Sequence, residues 1–140
     1  MLEPFSNFFI EKHLAKFGVE VHRPLTVAHT IRDITFYDWQ VARTLRTTRP
    51  YVTGRLGGEG TENVASALRY AKQGFDGLIH VKPFGCMPEI SAMPALYRIS
   101  EDFHFPIVYF SFDSLTSETG IKTRLEAFYD MMVMRKERHA

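Results

Sequence analysis

The sequence predicts an α/β domain: an open parallel sheet with helices on both faces. Two observations carry this. Strand-like and helix-like segments alternate along the chain, the pattern of parallel sheets joined by crossovers. The apolar runs Gly77–Lys82 and Pro106–Phe112 are separated by a stretch long enough for a helical crossover rather than a hairpin. The 140 residues allow one domain, 1–140, with a substantial core. That predicts a three-layer arrangement of the flavodoxin or Rossmann kind, lacking a strand at the N-terminus.

The first helix carries Phe9, Ile10, Leu14 and Phe17 at helical spacing, with Ser6 or Asn7 as its cap and Gly18 as its stop. No strand precedes it, although half of a βαβ pattern is present. Val19-Glu20-Val21-His22 alternates as a short strand over 19–23. Ile31, Ile34, Val41 and Leu45 suit one or two amphipathic helices within 30–49. There Arg43, Arg46 and Arg49 form a basic stripe that reads first as a solvated face and second as a phosphate contact. Pro50 ends this region.

Gly54-Arg55-Leu56-Gly57-Gly58-Glu59-Gly60 is a glycine-rich loop. A helix over about 61–73 follows, capped by Thr61, burying Val64, Ala67, Leu68 and Ala71, and closed by Gly74. Residues 77–82 read as a buried strand and Pro83–Pro88 as a turn. Pro88 suits the first position of a new helix to about Asp102, with Glu89 favourable near its positive end and Pro94 inside it. Residues 106–112 form a second apolar strand ending at Asp113. A last helix over about 119–137 places Ile121, Leu125, Phe128 and Met132 on one face.

Composition narrows the function classes. A net charge of +1 recruits neither nucleic acid nor an anionic membrane. No apolar run approaches the roughly 20 residues of a membrane span. A single cysteine excludes an internal disulfide and points to a reducing cytoplasm. It also means that the chain alone holds no multi-cysteine metal site. With 12 Phe residues and an unpaired sheet edge, the chain is expected to expose apolar surface or self-associate.

Ligands of open parallel sheets bind beyond the carboxyl ends of the strands. Three segments are candidates. In the first, Gly57, Gly58 and Gly60 lead into a helix start, where backbone N–H groups hold anions. Their spacing matches no phosphate-binding or dinucleotide motif, and they read first as a flexible or tight connection and second as an anion loop. In the second, Cys86 lies between a strand and a helix, where free N–H groups favour a thiolate as nucleophile or metal ligand. On composition alone, a lone cysteine is ordinarily a small buried apolar residue. In the third, Asp113 and Glu118 flank a loop and are expected to cap the last helix. The six histidines show no metal-ligand spacing.

Gly74-Phe75-Asp76-Gly77-Leu78-Ile79-His80 followed by Pro83-Phe84-Gly85-Cys86-Met87-Pro88-Glu89-Ile90 resembles the 2-hydroxyacyl-CoA dehydratase activase-related proteins, the CoA-substrate-specific enzyme activases. The likeness continues through Ile99-Ser100, Pro106-Ile107-Val108, Asp113, Thr116, Glu118, Gly120 and Thr123–Phe128. Earlier, Glu3-Pro4-Phe5, Asn7, Gly18–Val21, Gly57-Gly58 and Gly60 fit as well. Two departures stand out: Asp113–Gly120 differs from the family's Asp-Glu-x-Thr-Gly-Glu-Ala-Gly loop, and Glu59 replaces a histidine common in the glycine-rich loop. They bear on anion binding and acid–base roles at these loops, not on the fold.

The resemblance implies a part in an iron–sulfur electron-transfer module for reductive chemistry on acyl-CoA thioesters. Cys86 would be one ligand of a [4Fe–4S] cluster. Further ligands would come from the remainder of a parent chain or from a dehydratase-like subunit, and none is expected to assemble on the isolated chain. The chain is then a fragment or short relative, inactive alone, with its ATP site elsewhere. Two rival expectations are a non-enzymatic assembly module for such a partner and a CoA- or anion-binding regulatory domain.

Overall fold

A computed structural model of the chain describes residues 7–23 and 37–139. Among them are five helices and two strands: α1 (Ile10–Ala15), α2 (Tyr37–Thr48), α3 (Gly60–Gln73), β1 (Leu78–Pro83), α4 (Met87–Asp102), β2 (Ile107–Phe112) and α5 (Glu118–His139). The expectations for Glu3–Ser6, Ile31 and Ile34 lie outside the described residues.

The two strands pair as a parallel sheet. Leu78 N–H donates to the Pro106 carbonyl at 2.9 Å, and Phe84 N–H donates to the Phe112 carbonyl at 2.8 Å. Both strands thus advance by the same step in the same direction, with no bulge between. In a parallel ladder this register sets His80 beside Tyr109 and Val81 beside Phe110. The α/β class and the parallel pairing of the last two strands agree with the sequence reading.

The chain divides into two compact units. The first contains α1, most of β1 and β2, and α5. Its core is Ile10 and Leu14 of α1, Phe110 and Phe112 of β2, and Ile121 and Leu125 of α5. Ile79, Val81 and Val108 pack against this cluster from the same sheet face. Alternation along each strand puts these residues on one side and leaves His80, Lys82 and Tyr109 on the other. Phe8 stacks on Phe112, and Phe17 stacks on Tyr129 of α5. Arg124 lies over the Phe110 ring and donates to the Tyr109 carbonyl at 2.7 Å, tying α5 to β2.

The second unit holds α2, α3 and α4. Helix α3 packs against both of the others. Val64, Ala67 and Leu68 of α3 and Ala92, Ala95, Leu96 and Ile99 of α4 are buried. Small residues at these positions let the helix axes approach closely. Gly74 ends α3 at φ 78°, and its N–H and that of Phe75 donate to the carbonyls of Ala71 and Tyr70. Arg43, Arg46 and Arg49 are all exposed, as a solvated basic face requires.

Four local expectations are corrected. Residues 19–23 form no strand. Val19 packs on the core but Val21 is exposed, so their alternation is not half-buried. Alternation also needs a neighbouring strand edge to become a ladder, and β1 and β2 pair only with each other among the described residues. Asn7 does not cap α1. Phe9 holds the cap position in the left-handed region, and the buried Asn7 Oδ1 accepts no hydrogen bond. Thr61 does not cap α3, because that helix starts one residue earlier; its hydroxyl instead accepts from Leu56 N–H at 3.0 Å. The last helix is capped by neither Asp113 nor Glu118. Ser117 Oγ accepts the Gly120 N–H at 3.2 Å, while Asp113 accepts from Leu115 N–H and the Thr116 hydroxyl within its own turn.

Candidate functional site at the start of helix α4

The segment Pro83–Cys86 carries the chain from the carboxyl end of β1 into α4. Gly85 makes the reversal at φ 74°, a conformation that side chains with a Cβ resist. Cys86 follows in an extended conformation and is the N-cap residue of α4. Its carbonyl accepts the first helical bond, from Ile90 N–H at 2.9 Å. Its side chain caps nothing, and the thiol is half-buried rather than sealed in the core. Strand, glycine turn, cysteine and helix therefore occur in the predicted order.

Pro88 occupies the first turn of α4, where its missing N–H costs no helical bond. It is also the surface on which the glycine-rich loop rests. A Cβ at Gly58 would lie 3.4 Å from Pro88 Cγ, and one at Gly60 would lie 2.6 Å from the Pro88 carbonyl oxygen. Gly57 and Gly58 take φ values of 80° and 41°. Close approach to α4 is thus a sufficient reason for glycine at 60, and the positive φ is a sufficient reason at 57 and 58. The loop follows α2, and no strand feeds it among the described residues.

Behind this contact lies a pair that the sequence did not disclose. Asn63 of α3 donates through Nδ2 to both carboxylate oxygens of Glu89, at 2.9 and 2.8 Å. Glu89 is only 6% exposed. The contact locks the starts of α3 and α4 together and fixes the backbone that presents Cys86. Glu89 was legible only as a carboxylate near a positive helix end, and nothing in the sequence marks Asn63, which is 26 residues away.

The chain neighbours of Cys86 include exposed apolar side chains. Phe84 is 74% exposed and Met87 is 68% exposed, with Ile90 and Tyr97 also exposed along α4. Among the described residues, no three His, Cys, Asp or Glu side chains come together as a metal site. Cys86 is accessible enough to serve as one ligand, but the described residues do not complete a donor set for a cluster. Asp113 and Glu118 stand apart in role: Asp113 is committed to its turn, and Glu118 lies 3.6 Å from His13 of α1. No described helix is long and apolar enough to cross a membrane.

No family model, curated protein or solved structure matches the chain.

Proposed function

We propose that this chain is a cytoplasmic component of an iron–sulfur electron-transfer module of the 2-hydroxyacyl-CoA dehydratase type, contributing Cys86 as one cluster ligand. The observation that carries this reading is the placement of Cys86: half-exposed, at the N-cap of a 16-residue helix, on the turn that follows a parallel strand. Ligands of such sheets bind beyond strand carboxyl ends, and the Pro83–Ile90 string is the most specific part of the family resemblance. The two-stranded sheet is read as part of a larger flavodoxin- or Rossmann-like sheet.

A bound cluster would supply one-electron chemistry. This chain's share would be to hold one iron through Sγ, with the backbone N–H groups of the first α4 turn nearby to stabilise the anionic sulfur. The Asn63–Glu89 contact and the Gly60–Pro88 packing hold that turn in place. The remaining ligands would come from a partner or from further sequence joined to this one.

A second reading, an assembly module that docks on a dehydratase-like subunit, is favoured by the exposed Phe84 and Met87 on either side of Cys86. Anaerobic isolation of the native assembly through a tag on this chain tests both. Iron and acid-labile sulfide, with a paramagnetic signal on reduction, support the electron-transfer reading. A stable, iron-free assembly supports the docking role alone. The third reading, a CoA- or anion-binding regulatory domain using Gly57, Gly58 and Gly60, requires saturable binding of CoA to the isolated chain.

A further inference from the structure

Helix α2 packs one side against its own unit and leaves the other in water, and the exposed side carries groups that the cluster-ligand reading leaves without a role. Thr48 is fully buried, and Thr44 donates to Glu62 of α3 at 2.7 Å. Trp39, Arg43 and Arg46 stand four and three residues apart on the opposite side, and Arg49 follows just past the helix end. All four are exposed, Trp39 by 64%. The Arg43 guanidinium lies over the Trp39 ring, 5.4 Å from its centroid.

The face is positively charged and uncompensated. None of the three arginines takes part in an ion pair among the described residues. Glu62 and Asp102 reach α2 and the turn after it, but they accept from Thr44 and Tyr51. The negative end of the helix accounts for Arg46 and Arg49. It accounts for neither Arg43 nor an exposed tryptophan. Tryptophan and arginine are prominent among the side chains that carry most of the binding energy at protein interfaces. Arg43 and Arg46 are about 4.5 Å apart along the axis, the same step that separates carboxylates three residues apart on a neighbouring helix. Two other occupants fit less well. Nucleic-acid affinity grows with the number of phosphates neutralised, and three arginines on about 15 Å of helix neutralise few. A membrane surface asks for a broad apolar stripe, and Trp39 is the one large apolar residue on this side among the described side chains.

We propose that the face formed by Trp39, Arg43, Arg46 and Arg49 docks an acidic helix of a partner protein. The guanidinium forks pair with carboxylates, and the Trp39 ring packs against an apolar residue one turn from the acidic row. The face lies wholly within the second unit and involves neither Cys86 nor the glycine-rich loop, so it stands or falls apart from the cluster reading.

Trp39 is the chain's one tryptophan, so intrinsic fluorescence reports on this face directly. The probe is a synthetic alanine-based helical peptide with glutamates three and four residues apart on one side and a leucine one turn away. The same peptide with glutamines in place of glutamates is its control. The purified chain should give a saturable shift of Trp39 emission with the glutamate peptide alone, and the binding should weaken as salt rises. Arg43→Gln, Arg46→Gln and Arg49→Gln together should weaken it about ten-fold or more. Trp39→Ala, read by anisotropy of labelled peptide, should weaken it several-fold. All four side chains are exposed, so the melting midpoint should hardly move. No shift with the glutamate peptide, an equal shift with the glutamine peptide, or undiminished binding by the triple variant overturns the proposal. Tighter binding of an oligothymidylate or of phosphatidylserine vesicles also overturns it and assigns the face to nucleic acid or to a membrane.

Discussion

Gly60→Ala probes the packing that holds the start of α4. Alanine is favoured over glycine by about 1 kcal/mol in a helix interior and by less at a first helical position such as Gly60, where the backbone is not in the left-handed region. Propensity alone therefore predicts a neutral or stabilising change. The contacts predict the reverse. The new methyl group would lie 2.6 Å from the Pro88 carbonyl oxygen, 3.1 Å from its carbon and 3.2 Å from Leu56 Cβ. Two of the three obstacles are backbone atoms of the first turn of α4, so α3 and α4 must separate. Overpacking of this kind costs about 1–3 kcal/mol, enough to outweigh the propensity gain. For a chain of this size, 1 kcal/mol moves the melting midpoint by roughly 3–5 °C, so Gly60→Ala should lower it by several degrees. Urea and thermal unfolding followed by circular dichroism measure this. Gly54→Ala is the control: a Cβ there meets nothing within 4 Å and its backbone is unstrained, so stability should stay within about 0.5 kcal/mol. A Gly60→Ala chain as stable as the native one would refute the packing argument.

Three further substitutions test the same structure. Asn63→Ala removes the donor that satisfies both oxygens of the buried Glu89 and should cost about 1–3 kcal/mol in urea unfolding. Tyr109→Phe removes a buried hydroxyl that lacks a partner, so it should be neutral or stabilising by about 1 kcal/mol. Because burial raises the Tyr109 pKa, its contribution is fully present below about pH 10 and is lost as pH rises through the higher folded value. Tyr109→Phe should accordingly flatten the alkaline fall in stability, and an unchanged profile above pH 10 would show that another group controls it. Cys86→Ser should leave the circular dichroism spectrum and melting midpoint nearly unchanged, since the thiol caps nothing and is half-exposed.

Short-range chemistry made much of this fold legible. Gly74 and Gly85 punctuate the chain where only a left-handed backbone will serve, and they bracket β1. The apolar runs at β1 and β2 are too short for helices and too far apart for a hairpin, so parallel pairing followed. The order of β1, turn, Cys86 and α4 was readable for the same reason. What failed depended on partners distant in sequence. Val19–His22 has the alternation of a strand but pairs with no strand among the described residues, and a pattern cannot announce its partner. Thr61 and Asp113 have the right chemistry for caps but spend it on Leu56 and Leu115–Thr116. The Asn63–Glu89 pair joins two helices through a contact that no local motif encodes.

The central claim is that Cys86 ligates a cluster, and iron and acid-labile sulfide content measures it most directly. The comparison is between the native assembly, purified anaerobically, and the same assembly carrying Cys86→Ser. Loss of both iron and sulfide in the variant, with the circular dichroism of this chain unchanged, is the predicted result. Iron and sulfide retained in full with serine at position 86 would contradict it and leave Cys86 as a half-exposed residue of the α4 turn.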